Sequence, residues 1–281
     1  LVADKSDYYA RIMWKDTDDL KVACSGESIV SGDELICTNE NARDFSLSTS
    51  PDYQVFTQDL GNLKINAYVF NENSGAAQEL IRNTLAALVN YEELYDSKYS
   101  RSTLSIVEAD FPDGMESDGM YFLSKDYIQA YDGTNRNYMT ILSAHETAHQ
   151  WFYGMVGNDP ANEPWLDEAL CTFSEIMFFE EFYPADAEWW WSYRVDAYNP
   201  QGRVDSSIYE TESIRGYINA VYLQGVRFLT ELRRTTGDEY FIEALRNYVH
   251  RHSDQIATTE NFLSEFSPYD LSVIKTKYFS E

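Results

Sequence analysis

Positive charge is scarce in this chain: 21 Lys and Arg stand against 47 Asp and Glu, a formal charge of −26. Such a surface repels phosphate backbones and disfavours adsorption to anionic lipid, so nucleic-acid binding is not expected. No run of about 18 apolar residues occurs, and no membrane-spanning helix is expected. Three cysteines are too few for a disulfide framework, and they include no C-x-x-C pair. Cys24 and Cys37 flank a Gly-containing stretch that reads as a hairpin, which leaves their pairing open. Cys171, in an apolar helical run, reads as a buried thiol. With only 7 Pro and 13 Gly among 281 residues, 44% of them hydrophobic, a disordered tail is excluded. The length suits one large core or two smaller ones. The chain opens at Leu1-Val2-Ala3 without an initiator Met or a signal-peptide pattern. It is expected to be a piece of a longer protein, with an extracytoplasmic or cell-envelope location preferred.

Residues 1 to about 70 read as β. "KVACSG", "SLSTSPDYQVF" and "LKINAYVF" alternate in the strand manner, with turns at Ser25-Gly26, Ser31-Gly32-Asp33 and Gly61-Asn62. From Ser74 the pattern changes to a long helix through "SGAAQELIRNTLAALVNYEELYDSKY", and the boundary is expected near Asn71–Ser74. "STLSIVEA" reads as a strand, and "GMESDGMYFLS" as a turn and then a strand over 119–124 that forms the cleft edge of its sheet. From about Tyr138 the chain is largely helical. One helix carries "HETAHQW", another starts after Pro164, and an irregular aromatic-rich loop is expected over 183–215. The run Trp189-Trp190-Trp191 in that loop is read as packing it, in preference to lining a binding face. Helices through "YINAVYLQGVRFLTELRRTTG" and "DEYFIEALRNYVHRH" follow, and a last one after Thr259.

Histidine is scarce too, with four in the chain. Two of them, His145 and His149, stand four apart in "HETAHQW", on one face of a helix. Both imidazoles can then point at one metal ion about 2 Å from each ring nitrogen. Glu146 is rotated about 100° from His145, away from a ligand position but within reach of a water beside the metal. This is the H-E-x-x-H arrangement of zinc peptidases. A third ligand is available in "EPWLDEAL": Glu168 follows His149 by nineteen positions, and two histidines with one carboxylate leave a coordination position open. Glu175, seven residues on, shares the face of Glu168 and is a candidate acceptor that orients a histidine, or else a solvated helix charge. His250 and His252, two apart, point apart and read as cations at a helix C-terminus.

The run "HETAHQWFYGMVGNDPANEPWLDEAL" resembles the M1 family of zinc aminopeptidases, gluzincins with H-E-x-x-H, eighteen residues, then E. "DGMES" is similar to the family's G-x-M-E-N exopeptidase motif and "VYLQGVRFL" to its V-Y-x-K-G segment. "NARDFSLSTSPDYQVF" resembles the end of its N-terminal β domain. The resemblance covers nearly the whole chain in the family's order. It implies an α+β fold, with the C-terminal part of a β-sandwich-like domain over 1–72 and a thermolysin-like catalytic domain over 73–281. It implies one Zn²⁺ per chain on His145, His149 and Glu168, with Glu146 as general base and Tyr222 as donor to the tetrahedral oxyanion. Gly114, Met115 and Glu116 would contact substrate, Glu116 by binding a free α-amino group. The partners implied are peptides with a free N-terminus. The sequence departs from the family pattern at Asp113 and Ser117 around the exopeptidase glutamate, at Asp167, Ala169 and Leu170 around the zinc glutamate, and at Gln224 after the tyrosine. No departure removes a ligand or the base; they bear on substrate binding. An endopeptidase or epoxide hydrolase on the same scaffold remains open, as does an inactive, binding-only relative.

Overall fold

The computed structural model describes residues 3–14, 19–32 and 34–280. Leu1, Val2 and Asp33, the last of which falls in an expected turn, lie outside them. The chain forms two compact units, Ala3–Leu88 with Tyr99–Gln150, and Val89–Lys98 with Trp151–Glu281.

The first unit holds the sheets. β1 (Ser6–Met13), β2 (Lys21–Cys24), β3 (Glu27–Ser31), β4 (Glu34–Ala42) and β5 (Leu47–Ser50) make a three-stranded antiparallel sheet, β1-β4-β3, and a two-stranded pair, β2-β5. β4 shows why alternation forms such strands: every second residue from Leu35 to Asn39 is buried, and its neighbours are not. Cys24 on β2 and Cys37 on β4 form a disulfide. They share a small core with Leu35, against which Ile12, Val22 and Phe45 pack. Pro51 ends β5, so the stretch read as one strand is two.

β6 (Tyr53–Leu60), β7 (Leu63–Phe70), β8 (Thr103–Ala109), β9 (Gly114–Ser117) and β10 (Met120–Ser124) make a five-stranded sheet in the order β6-β7-β8-β10-β9. β7, β8 and β10 run parallel, which requires long crossovers. β8 is buried at five consecutive positions, as a central strand covered on both faces must be. Helix α1 (Ala77–Leu94) lies between β7 and β8 in the chain. The cleft-edge expectation is corrected here. Residues 120–124 lie inside the sheet, and the edge strand is β9, formed by residues expected to turn. Helices α2 (Lys125–Gln129) and α3 (Tyr138–Ala148) complete this unit.

The second unit is helical: α4 (Trp165–Phe182), α5 (Ala187–Trp190), α6 (Ile214–Tyr217), α7 (Gln224–Thr236), α8 (Asp238–His252), α9 (Thr259–Ser264) and α10 (Ser272–Tyr278). Its core is aromatic. The Trp165 ring is met edge-on by Phe228, Phe262 and Phe279, and its N–H donates to Thr259. The loop expected over 183–215 is partly helical. A 3₁₀ turn starts at Pro184, α5 follows, and Trp191–Val195 and Asp196–Tyr198 continue as π and 3₁₀ turns. Of the tryptophan run, Trp190 is fully buried and packs the segment, while Trp189 and Trp191 are partly exposed. His250 and His252 close α8, and the ring of His250 lies 2.7 Å from the Asp96 carbonyl oxygen.

Candidate active site

α3 is a core helix. The Asn137 side chain caps it by accepting from the Thr140 N–H, and every residue from Met139 to Ala148 is buried. Its regular hydrogen bonding ends at Ala148, with His149 as a C-cap still in helical conformation, so the i, i+4 relation to His145 survives. The imidazoles of His145 and His149 meet edge to face at 4.9 Å between centroids. His145 and Glu146 are 3% exposed and His149 1%. Two buried imidazoles this close can offer nitrogen donors to one metal ion.

The edge strand β9 supplies the other side. Asp113 stands where the family motif has glycine, and its φ is +63°. Aspartate is among the few non-glycine residues that enter this region readily, so Asp113 can hold this turn. The Ser124 N–H donates to the Asp113 carbonyl at 2.9 Å, and antiparallel pairs alternate from there. The main-chain groups of Gly114 and Glu116 therefore face away from β10. Glu146 lies against Gly114 so closely that a Cβ there would stand 2.1 Å from Glu146 Oε1. Glu116, Glu146 and His149 each offer an atom of metal-ligating type, and these atoms lie within 4.8 Å of one another. Two carboxylates that close favour a cation between them, either a metal or an ammonium. Nitrogen and oxygen donors of this kind suit zinc.

In the second unit, α4 begins directly after Pro164 and carries Asp167 and Glu168 in its first turn, where negative charge is favourable. Asp167 is buried and its Oδ1 accepts the Glu168 N–H at 2.8 Å, so this carboxylate is engaged with its own helix start. Glu168 is partly exposed. Ala169, another departure, packs on α7 at Gly225: a Cβ on that glycine would stand 2.4 Å from the Ala169 methyl. Tyr222, three residues before Gly225, lies in a π-helical turn over Ile218–Leu223. Its ring meets that of Tyr217 edge-on at 5.8 Å. Single π turns inside helices are frequent at functional sites.

Glu175 is fully buried, and its two oxygens accept from Arg194 Nε and Nη2 at 3.0 and 2.9 Å, and from the Trp190 N–H at 3.1 Å. It is not a solvated helix charge. Sequence reasoning missed Gln150, which follows the second histidine directly. Its Oε1 accepts the Gly119 N–H at 2.9 Å and its Nε2 donates to the Ser117 carbonyl at 3.0 Å, so it grips the β9–β10 turn from the end of α3.

A buried histidine pair with carboxylates gathered beside it is a candidate donor set for a metal ion. Residues 80–276 match the model of the Peptidase family M1 domain, and the chain belongs to this family. It is 26% identical to aminopeptidase M1-D of Oryza sativa subsp. japonica over 215 residues, 70% of this chain and 24% of that protein. It is 23% identical to human endoplasmic reticulum aminopeptidase 2 over 73% of this chain and 23% of the relative. It is also 23% identical to aminopeptidase N of Lactococcus lactis subsp. cremoris over 78% and 28%. The chain thus spans about a quarter of the length of these relatives. Among the described residues no helix is long and apolar enough to cross a membrane.

Proposed function

We propose that this chain carries the zinc site of an aminopeptidase that removes N-terminal residues from peptides. The observation that carries the reading is the buried pair His145–His149 with Glu146 and Glu116 gathered beside it. Its relatives are named aminopeptidases, and family membership supports the same chemistry here. The zinc ligands are His145, His149 and Glu168, the last supported by its nineteen-residue spacing and its place at the start of α4. Bound zinc supplies a Lewis acid and lowers the pKa of water towards about 7. Glu146 takes the proton of the attacking water and returns it to the leaving amine. The Tyr222 hydroxyl donates to the oxyanion as its charge develops. Glu116 accepts the substrate's α-ammonium, and the open edge of β9 offers Gly114 and Glu116 main-chain groups to pair with peptide of many sequences. Met115, 52% exposed, lies beside that edge as a further contact.

The proposed catalytic domain, thermolysin-like, is 73–281, with 1–72 as the β portion; the pairing of β7 with β8 runs across that boundary. Glu175 is proposed as the acceptor that orients one of the histidines. Metal analysis tests the reading. Wild type should hold one zinc per chain, His149→Ala should hold almost none, and Glu146→Gln should keep the zinc while losing hydrolysis. Full zinc in His149→Ala, or normal turnover by Glu146→Gln, would contradict it.

A further inference from the structure

Ser117 follows Glu116 directly, and the family pattern has asparagine there. Successive strand residues point to opposite faces, so a side chain that anchors Ser117 also sets the direction of Glu116. Ser117 is completely buried. Its hydroxyl donates to Asp44 Oδ1 at 2.7 Å and lies 3.2 Å from the Ser25 hydroxyl. The same Oδ1 accepts the Asp118 N–H at 2.9 Å. One carboxylate oxygen thus holds two consecutive residues of the turn that ends β9.

The partners of that oxygen are themselves held. Asp118 accepts the Arg43 N–H at 2.9 Å, pairs with the Arg101 guanidinium at 2.6 Å, and its carbonyl accepts from Asn39 Nδ2 at 2.7 Å. Gln150 grips the same turn from α3. Asp44 comes from a segment more than seventy residues earlier, between β4 and β5. No element of the sheet requires it to touch β9.

We propose that Asp44 is a positioning residue for amine recognition: by holding Ser117 and Asp118 it fixes the register of the β9 edge and aims Glu116 at the substrate's α-ammonium. Ser117 in place of asparagine is then a matched change, a short hydroxyl donor set for an aspartate acceptor. The proposal rests on the aminopeptidase reading and on the role of Glu116 within it. It predicts that the contact acts mainly through geometry, since a neutral acceptor at Oδ1 still meets both donors, though less strongly than a carboxylate.

The test is the ratio of kcat/KM for an amino-acid anilide with a free amine to that for its N-acetyl form, measured on the whole chain with zinc content as a control. Asp44→Ala and Ser117→Ala should each lower the ratio about tenfold, mainly through KM for the free amine, at unchanged zinc. The double variant should be little worse than Asp44→Ala alone, because that variant already removes the Ser117 contact. Asp44→Asn should stay near wild type, since its carbonyl oxygen replaces Oδ1. Should Asp44→Ala fail to fold, Ser117→Ala and Asp44→Asn carry the test. A wild-type ratio near one would overturn the Glu116 reading and this proposal with it. A high wild-type ratio left intact in Ser117→Ala, additive losses in the double variant, or an Asp44→Asn as poor as Asp44→Ala would overturn this proposal alone.

Discussion

Gly225→Ala probes how α7 is registered on α4. The new Cβ would stand 2.4 Å from the Ala169 methyl and 3.3 Å from its Cα, where ordinary contact begins at 3.4 Å. The two helices must therefore part by about 1 Å at this point. Overpacking of this size costs about 1–3 kcal/mol. Replacing a helical glycine by alanine returns roughly 1 kcal/mol, so the net loss of stability is only about 0–2 kcal/mol. The rate is the sharper readout. Tyr222 lies three residues before Gly225, and Glu168 immediately precedes Ala169. A misplacement of about 1 Å costs on the order of 10²-fold. Ala169→Gly in the same chain removes the clashing methyl, at a helix cost of roughly 1 kcal/mol that the new alanine offsets. Denaturant unfolding and steady-state kinetics on the four members of the cycle measure both effects. Gly225→Ala should lose about 10² in kcat, and the double variant should recover most of it with stability within about 1 kcal/mol of wild type. An unchanged kcat in Gly225→Ala, or no recovery in the double variant, would refute the reasoning.

Tyr222→Phe should lower kcat by about 10²–10³ with little change in KM, because its hydrogen bond forms mainly in the transition state. Tyr217→Phe is the control and should do far less; the reverse ranking in steady-state kinetics would place the oxyanion donor at Tyr217. Glu175→Ala should cost about 3–5 kcal/mol in denaturant unfolding, because it strands the nearly buried Arg194 guanidinium and the Trp190 N–H. If Glu175 also orients a zinc ligand, the folded variant should bind zinc about 10–100-fold more weakly, and zinc affinity at the wild-type level would leave it a purely structural ion pair.

What could be read in advance follows the range of the interactions involved. His145, Glu146 and His149 are legible because helical periodicity is local. So are Pro164 at the start of α4 and Gly237 at the end of α7. The edge of the five-stranded sheet is not local. β9 lies outside β10 only because β10 pairs in parallel with β8, and nothing within "GMESDGMYFLS" records that partner. The π turn around Tyr222 has the composition of any helix, so its altered phase leaves no pattern. In 183–215 the tryptophans obscured helical turns whose one clear signal was Pro184. Glu175 could be placed on a face but not paired, since Arg194 is brought to it by those turns. The bond between Cys24 and Cys37 depends on the meeting of two separate sheets. Asp44 gave no sign of its link to Ser117, seventy-three positions away.

The most direct test of the account compares initial rates on a matched pair of amino-acid anilides, one with a free α-amine and one N-acetylated, across several side chains. A site built around Glu116 needs the ammonium, so the account predicts that acetylation nearly abolishes cleavage for every side chain that is accepted at all. Equal rates on the free and blocked members of a pair would contradict it.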